Sequence, residues 1–391
     1  MKILMINVVC GIRSTGRICT DLAETLNERG DQVKIVYGRE AVPEKYEKFA
    51  LKMGSDAGVK MHALKARLFD RCGFGSTFAT REIIKQIEEY DPDIIHLHNI
   101  HGYYINVEEL FKYLKRCGKK VVWTLHDCWS FTGHCAYFDY VECEKWKTGC
   151  HHCEQKTEYP ARNGFDMSKK NFAQKKEIFT GVENMTLVTP SRWLSDLVSQ
   201  SYLKEYETIV IPNGVDTSVF KPTPSDIKER YSCTGKKVIL GVAAVWDKRK
   251  GLDTFIELSE KLSDDYKIIL VGLSEKQIQE LPENIIGIQR TNSVSELAEL
   301  YSAADVFVNP TLEDNYPTTN IEAIACGTPV ITFETGGSPE SAEMYGVIVP
   351  RKDTDALIEA IMNVENITKK DIDIDYKATV RKYMKLYEEH I

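Results

Sequence analysis

Short apolar runs rich in valine and isoleucine alternate with amphipathic segments along the whole chain, and this alternation limits the folds that the chain can adopt. Segments with helical spacing of apolar residues span 16–30, 107–118, 252–263 and 294–304. Strand-like runs occupy 2–9, 33–38, 94–98, 120–126 and 186–191, then, as a second series, 208–213, 237–244, 267–272, 305–310, 328–333 and 346–350. Strands that alternate with helices predict parallel α/β sheets with helices on both faces.

The number of strands and the length of the chain favour two domains. A chain of 391 residues exceeds the ~250–300 residues at which a single core stops growing. We predict two doubly wound sheets of five or six strands, divided near the turn-rich stretch 211–222. The expected parts are an N-terminal Rossmann-like domain over 1–212 with a cysteine-rich insertion at 128–153, a C-terminal Rossmann-like domain over 213–374, and a helix over 375–391 that packs back on the first domain.

Composition and charge exclude several classes of protein. No run approaches the ~18 apolar residues of a membrane-spanning helix, and the opening MKILMINVVC predicts a first strand because no small-residue cleavage site follows it. The formal net charge of −8 argues against nucleic acid as a partner. Residues 1–210 carry 30 Lys and Arg against 28 Asp and Glu, and the remainder carries 20 against 30. The odd count of 11 cysteines agrees with reduced thiols, so we predict a cytoplasmic protein.

The most specific chemical pattern is NPTLEDNYPTTNIEAIACGTPVITFETGGSPESA, residues 309–342. It predicts a strand, a loop, a helix opened by Glu322, a second strand and a glycine turn at 336–337. A carboxylate there can accept both hydrogen bonds of a ribose diol, and the preceding Thr-Thr-Asn supplies capping oxygens. In the structural alternative, Asp314 begins an Asx-turn and Glu322 only complements the helix dipole.

This pattern resembles glycosyltransferase family 4, whose members are retaining sugar-nucleotide enzymes of the GT-B fold. The family has a Glu, seven residues and a second Glu. Here Glu322 is the second acid, and Asp314 stands at the first position, within EDNYP. The resemblance covers nearly the whole chain and is strongest to a subgroup that makes bacterial capsule, exopolysaccharide or O-antigen. It implies two Rossmann-like domains that face a cleft.

The resemblance also implies roles for residues of the second half. Glu322 is expected to bind the ribose. The loop that follows the strand is expected to hold the donor sugar, with Asp314 among the catalytic residues; its members are Asp314, Asn315, Tyr316 and Pro317.

A basic turn, WDKRKGL, precedes this motif. Lys250 matches the family lysine that meets the diphosphate, and a cation there neutralises charge on the departing phosphate. The family arginine five residues earlier is replaced by Val245, and Arg249 is the candidate substitute. A solvated basic turn is the structural alternative.

The first half contributes a glycine loop, NVVCGIRSTGRICT. It lacks a full G-x-G-x-x-G, so the dinucleotide-binding signal is weak. It is similar to the N-terminal glycine loop of the family, with Gly16 as the close-approach glycine and Arg13 and Arg17 as candidate anion contacts. A plain strand-to-helix turn is the alternative.

Histidines follow two strands of the first half. His126 and Asp127 match the family's HD, which makes His126 a catalytic candidate that orients groups beside the donor sugar. His96 and His98 share one face of their strand, a spacing compatible with a metal. No third ligand accompanies them, so we favour a structural pair, with the acceptor side lined by residues near His98.

The segment CWSFTGHCAYFDYVECEKWKTGCHHC, which starts at Cys128, holds five of the 11 cysteines. In a reduced compartment, four thiols in a short segment predict a structural Zn²⁺ site whose metal supplies the folding energy of the segment. The predicted ligands are Cys135, Cys143, Cys150 and Cys153. Free thiols packed against Trp129 and Trp146 are the alternative.

The expected function is a retaining glycosyltransferase that moves a sugar from a nucleotide-sugar, with UDP-sugar before GDP-sugar, to a glycan or a lipid-linked acceptor. No catalytic metal is expected. The rival functions are a nucleotide-sugar epimerase, an NAD-dependent dehydrogenase and a non-catalytic binding protein. The basic, semi-apolar segment 60–72 is compatible with a peripheral contact at the inner face of the plasma membrane, although an ordinary surface helix is the favoured interpretation.

Overall fold

The computed structural model describes residues 1–389. The chain forms two compact units, one made of Met1–Pro212 together with the C-terminal segment from Val380, the other made of Asn213–Thr379. The boundaries predicted from sequence lie after residues 212 and 374, and those of the structure lie after residues 212 and 379. Because Rossmann-like sheets bury their strands under helices on both faces, each unit has its own apolar core.

The first unit is built on a seven-stranded parallel sheet with strand order β3-β2-β1-β4-β5-β6-β7. Its strands are β1 Lys2–Ile6, β2 Gln32–Tyr37, β3 Ala50–Lys52, β4 Ile94–Leu97, β5 Lys120–Thr124, β6 Met185–Thr189 and β7 Thr208–Val210. Its helices are α1 Arg13–Glu28, α2 Asp56–Phe69, α3 Thr77–Tyr90, α4 Val107–Leu114, α5 Ser168–Phe179 and α6 Arg192–Ser199.

The second unit is built on a six-stranded parallel sheet with strand order β10-β9-β8-β11-β12-β13. Its strands are β8 Lys237–Val242, β9 Tyr266–Val271, β10 Ile285–Ile288, β11 Val306–Asn309, β12 Val330–Phe333 and β13 Gly346–Val349. Its helices are α7 Ile227–Arg230, α8 Leu252–Lys261, α9 Glu275–Gln279, α10 Val294–Ala303, α11 Thr318–Ala325, α12 Ser338–Ala342 and α13 Thr354–Met362.

Two details of the predicted sheets are wrong. The run 208–213 was counted with the second series of strands, although the predicted first domain extends to residue 212. It forms β7 at the edge of the first sheet, where it pairs with β6. The first sheet therefore has seven strands, since β3 is also present. The sequence does not signal β3, because Ala-Leu-Lys has neither the length nor the apolar alternation of a typical strand. Strand β10 was missed although Ile285–Ile288 is a short apolar run.

The last helix, α14, spans Tyr376–Glu388, and its second half belongs to the first unit. The Tyr387 hydroxyl lies 2.7 Å from Nδ1 of His96 on β4, and the Tyr383 hydroxyl lies 2.9 Å from Oγ1 of Thr124 on β5. Both tyrosines are buried. These bonds anchor the helix under the carboxyl ends of β4 and β5.

Across residues 1–389, the structure contains no helix that is both long enough and apolar enough to cross a membrane.

Candidate functional site

Each sheet has one point where its strand order reverses, and ligands of doubly wound sheets bind beyond the carboxyl ends of the strands there. In the second unit this point lies between β8 and β11, and in the first between β1 and β4. Lys250 and Asp314 come after β8 and β11, and the glycine loop comes after β1, whereas His126 follows β5. The two strand edges are described separately below.

In the second unit, the structure brings two predicted residues into direct contact. Nζ of Lys250, after β8, lies 2.5 Å from Oδ2 of Asp314, after β11. The other carboxylate oxygen of Asp314 accepts a hydrogen bond from the backbone N–H of Asn315, at 3.0 Å. Both charged side chains are largely buried, so the pair places a lysine cation and a carboxylate together at the switch point.

Two glycines allow this contact. Gly251, after Lys250, has φ +76°, and a Cβ there would lie 2.3 Å from the carbonyl oxygen of Pro310. Gly336 has φ +56°, and a Cβ there would lie 2.0 Å from the carbonyl oxygen of Asp314. The Gly337 N–H also donates to that carbonyl, at 3.1 Å. The glycine turn at 336–337 therefore holds the backbone of Asp314 in place.

Helix α11 differs from its prediction at its start. It begins at Thr318, so Glu322 lies in the middle of the helix and does not open it. The N-cap residue of the helix is Pro317, and no side chain caps the helix there. The prediction that Thr-Thr-Asn supplies capping oxygens is wrong, because these three residues lie inside the helix. The carboxylate of Glu322 is buried and accepts a hydrogen bond from the Tyr301 hydroxyl at 3.0 Å.

A buried polar network beneath this loop was missed by sequence reasoning. Nδ2 of Asn320 donates to Oγ of Ser341 at 2.8 Å, and its Oδ1 accepts from Nδ2 of Asn309 at 2.8 Å. Oγ of Ser338 bonds Oγ1 of Thr332 at 2.7 Å. The network ties the ends of β11 and β12 to α11 and α12. The available signal was a set of polar residues within two strands and the two helices that follow them, but their pairing depends on the tertiary fold.

The rest of the loop after β11 and the basic turn complete this edge. Asn315 and Pro317 are buried, and Tyr316 is half-buried. Val245 is 66% exposed. The Arg249 guanidinium pairs with Asp247 at 3.0 Å. The backbone carbonyl of Arg249 accepts a hydrogen bond from the Leu312 N–H at 2.7 Å. Arg249 thus joins the basic turn to the loop after β11.

In the first unit, the glycine loop packs tightly on its own helix. The Gly11 N–H donates to the Gly16 carbonyl at 3.1 Å, and a Cβ on Gly16 would approach Val9 Cγ2 to 3.0 Å. Gly16 therefore lies against Val9 and Gly11 of its own loop, and its predicted close approach to a ligand stays a prediction. Arg13 is exposed and pairs with Glu40 at 2.7 Å, and Arg17 is exposed.

His126 lies at the carboxyl end of β5 in a row of imidazole rings. Its Nε2 lies 3.0 Å from Nδ1 of His98, and the rings of His98 and His96 have centroids 4.0 Å apart. Burial lowers the pKa of His126 to about 4 and that of His96 to about 3. Burial and the two neighbouring imidazoles hold the pKa of His98 well below its usual range. All three are neutral at pH 7, so His126 can orient a ligand through hydrogen bonds but carries no charge.

A series of hydrogen-bonded side chains beside His126 was not predicted. Oδ2 of Asp127 lies 2.8 Å from Nε2 of His101, whose Nδ1 lies 2.9 Å from the Tyr159 hydroxyl. Burial pushes the pKa of Asp127 up, but His101 and the Trp129 N–H outweigh this effect and leave the pKa lowered. Asp127 is thus an anchor for the loop after β5.

The cysteine-rich segment packs into the core of the first unit. Trp129, Phe131, Phe138 and Trp146 are buried there, together with the thiols of Cys128 and Cys135. The segment therefore buries apolar side chains of its own, and a bound metal would not be its only source of folding energy.

The predicted zinc ligands are all free thiols. Cys135 and Cys153 share a hydrogen bond, which lowers the pKa of Cys153 and raises that of Cys135. Sγ of Cys150 accepts from the Gly133 N–H at 3.2 Å. Within residues 1–389, no three or more His, Cys, Asp or Glu side chains are arranged to hold a metal ion. The zinc site stays a prediction.

Comparison with solved structures supports the fold. Sucrose-phosphate synthase from Thermosynechococcus elongatus superimposes with a TM-score of 0.70 at 18% identity, covering 99% of this chain and 98% of that chain. HepE from Anabaena superimposes with a TM-score of 0.68 at 14% identity over the full length of both chains. At this identity the likeness shows the fold alone, which is the GT-B arrangement of two Rossmann-like units.

Comparison of sequences gives the family. WcaC of Escherichia coli, a glycosyl transferase named for colanic acid biosynthesis, is 25% identical over 361 residues, which cover 88% of this chain and 86% of that protein. The O-antigen chain mannosyltransferase RfbU of Salmonella typhimurium is 27% identical over 190 residues, 46% of this chain and 51% of that protein. Residues 236–366 match the family model for glycosyl transferases group 1, and residues 15–219 match that for glycosyltransferase family 4. The chain belongs to glycosyltransferase family 4.

Proposed function

We propose that this glycosyltransferase is a retaining enzyme that transfers a sugar from a UDP-sugar to a glycan or lipid-linked acceptor in the synthesis of a bacterial surface polysaccharide. The observation that carries the proposal is the contact between Lys250 and Asp314 at the switch point of the second sheet. The relatives support it, since WcaC and RfbU are named for polysaccharides and HepE is described in complex with UDP and with UDP-glucose.

The chemistry of the second unit suits a sugar diphosphate. We propose that Lys250 releases part of its bond to Asp314 and binds the donor phosphates, because a cation there stabilises the charge that develops as the diphosphate leaves. Glu322 would bind the ribose hydroxyls, with Tyr301 fixing its carboxylate. Asp314, Asn315, Tyr316 and Pro317 would hold the sugar.

In the proposed reaction, the bond between the anomeric carbon and the phosphate oxygen breaks while the acceptor oxygen bonds to that carbon on the same face. The acceptor proton passes to the released diphosphate, so no protein base is required. Neutral His126 would orient the sugar by a hydrogen bond. The protein contributes positioning and electrostatic stabilisation, and we propose that no metal takes part.

A thermal-shift panel with UDP, GDP, CMP and NAD⁺, each with and without EDTA, tests the donor class. We expect UDP to raise the melting temperature most and EDTA to leave that rise unchanged. A response to NAD⁺ alone would contradict the proposal and favour a dehydrogenase. If UDP stabilises the protein but a UDP-sugar is only epimerised in the presence of acceptors, the epimerase alternative gains. A complete lack of response would favour the binding protein.

The structural zinc ion is a separate proposal, carried by the number and spacing of Cys135, Cys143, Cys150 and Cys153. Because these thiols are not arranged around a metal in the described structure, they would have to rearrange to bind it. Metal analysis of freshly purified, chelator-washed protein should give about one zinc per chain, lost in a Cys150→Ser/Cys153→Ser variant. A zinc content near zero would leave the packed thiols as the correct interpretation.

A further inference from the structure

Exposed apolar side chains concentrate on one surface of the first unit. Fourteen large hydrophobic side chains are strongly exposed within residues 1–389, and six of them lie on α2, at the start of α3 and in the loop that follows the cysteine-rich segment: Met61, Leu64, Leu68, Phe69, Phe78 and Phe165. The rings of Phe69 and Phe165 stack with centroids 6.3 Å apart. Single exposed hydrophobic residues are normal, whereas a contiguous group marks an interaction site. We call this group, with the exposed cations of α2, the α2 surface.

The helix geometry shows that this exposure is organised. Met61, Leu64 and Leu68 are spaced three and four residues apart, so they lie along one face of α2. On the other side of the helix, His62 and Ala66 are buried against the unit. Helix α2 therefore has one apolar side on the core and a second apolar stripe directed at solvent.

The cations of the α2 surface form no salt bridge within residues 1–389, although the charge of Lys60 adds to that of Lys52 in lowering the pKa of Asp56. Lys60, Lys65 and Arg67 are exposed on the helix, and none of them pairs with a carboxylate in the described chain. The two acids at the ends of the helix are already engaged, since Asp56 pairs with Lys52 and Asp70 with His134. A chain with a formal net charge of −8 thus presents a locally positive, apolar surface.

A cavity of about 520 Å³ lies beside this surface, between α2 and α3 at the carboxyl end of β3. Met61, Lys65 and Phe78 of the α2 surface line it, together with the apolar side chains of Met53, Val59, Ile83 and Tyr104. The cavity extends the apolar stripe into the unit, and its volume suits part of a hydrocarbon chain.

We propose that the α2 surface docks this protein on an anionic lipid bilayer. Leu64, Leu68 and the exposed phenylalanines enter the boundary between headgroups and acyl chains, while the lysine and arginine stems extend toward lipid phosphates. An anionic bilayer complements the charge of Lys60, Lys65 and Arg67. It also offers a hydrocarbon boundary for the apolar stripe, which an acidic protein surface such as that of a second copy does not offer. The inference extends the proposed function, because a lipid-linked acceptor is reached at a membrane.

Co-sedimentation of the full-length protein with vesicles tests the docking without any donor or acceptor, so its outcome is independent of the enzymatic proposal. We expect binding to vesicles of phosphatidylglycerol and phosphatidylcholine in equal parts, weaker binding in high salt, and little binding to phosphatidylcholine alone. A Lys60→Gln/Lys65→Gln variant should bind the anionic vesicles about 20-fold more weakly.

The apolar stripe is tested by Leu64→Gln/Leu68→Gln, with Met362→Gln/Ile372→Gln as the matched control, since those two side chains are 55% and 50% exposed in the second unit. The first variant should lose vesicle binding at an unchanged melting temperature, and the control should bind as the natural chain does. Equal binding by both variants would overturn the proposal. It would also be overturned by an absence of binding to anionic vesicles, or by a dimer in solution that only the first variant abolishes.

Discussion

Buried imidazoles distinguish the first unit at the scale of single residues. His62 and His96 are buried, and burial lowers the pKa of His62 to about 4 and of His96 to about 3. His62 bonds the Gly75 N–H at 3.0 Å and the Ser76 hydroxyl at 2.9 Å. These rings work as neutral hydrogen-bonding groups, so protonating them would break the contacts that hold α2 and β4.

The low histidine pKa values predict that stability falls in mild acid. Between pH 6.5 and about 4 the unfolded chain binds a proton at each of these histidines and the folded chain does not, so the free energy of unfolding decreases as the pH is lowered. The slope is about 1.4 kcal/mol per pH unit for each histidine. Urea unfolding of the natural chain from pH 7.5 to 5 measures it.

Replacing one of the two rings should reduce that slope. His96→Gln is expected to lower stability at pH 7.5 and to weaken the pH dependence, whereas His151→Gln, at an exposed ring, should change neither. An unaltered slope in His96→Gln would show that His96 is not neutral in the folded chain.

At the scale of elements, the glycine turn after β12 holds the loop that contains Asp314 in position. Gly336 combines a left-handed backbone with a close approach to the Asp314 carbonyl, whereas Gly235 has a similar φ of +81° and nothing within 4 Å of its missing Cβ. Substitutions at the two glycines therefore separate the free-energy cost of backbone strain from the cost of displacing the loop that contains Asp314.

We predict that Gly336→Ala impairs donor use and Gly235→Ala does not. Both substitutions should cost about 1–2 kcal/mol through the left-handed backbone. Only Gly336→Ala also pushes the loop at Asp314 aside, and a shift of about 1 Å can lower kcat/KM for the donor by up to ~100-fold. Equal kinetics in the two variants would contradict a positioning role for Gly336.

The elements also show how far sequence could go. Lys250 and Asp314 were found because they lie in short local motifs that resemble those of the family, and the glycine turn because it follows a predicted strand closely. The bond from Tyr301 to Glu322 and the contact of Asn320 with Ser341 were not, because they join residues 21 apart in sequence across different helices. Strand β3 and the cavity behind α2 carry no local signal at all.

At the scale of the whole molecule, the two units hold different chemistry. The first unit presents neutral histidines and the α2 surface, and the second presents the Lys250–Asp314 pair, Glu322 and the glycine turn. The division into two Rossmann-like units follows from the strand pattern, which the sequence displays clearly. The helix over 375–391 was predicted to pack back on the first domain, and the structure adds the contacts that hold it there, which are made by Tyr383 and Tyr387.

The measurement that tests the central claim most directly is a calorimetric titration of UDP into the natural chain, Lys250→Met and Lys248→Met. Lys248 is an exposed lysine on the same turn and serves as the matched control. Lys250→Met should bind UDP about 10- to 100-fold more weakly, because it loses a charged hydrogen bond and leaves Asp314 to repel the diphosphate. Lys248→Met should bind UDP as the natural chain does. Equal UDP affinity in all three proteins, or no binding by the natural chain, would contradict the account.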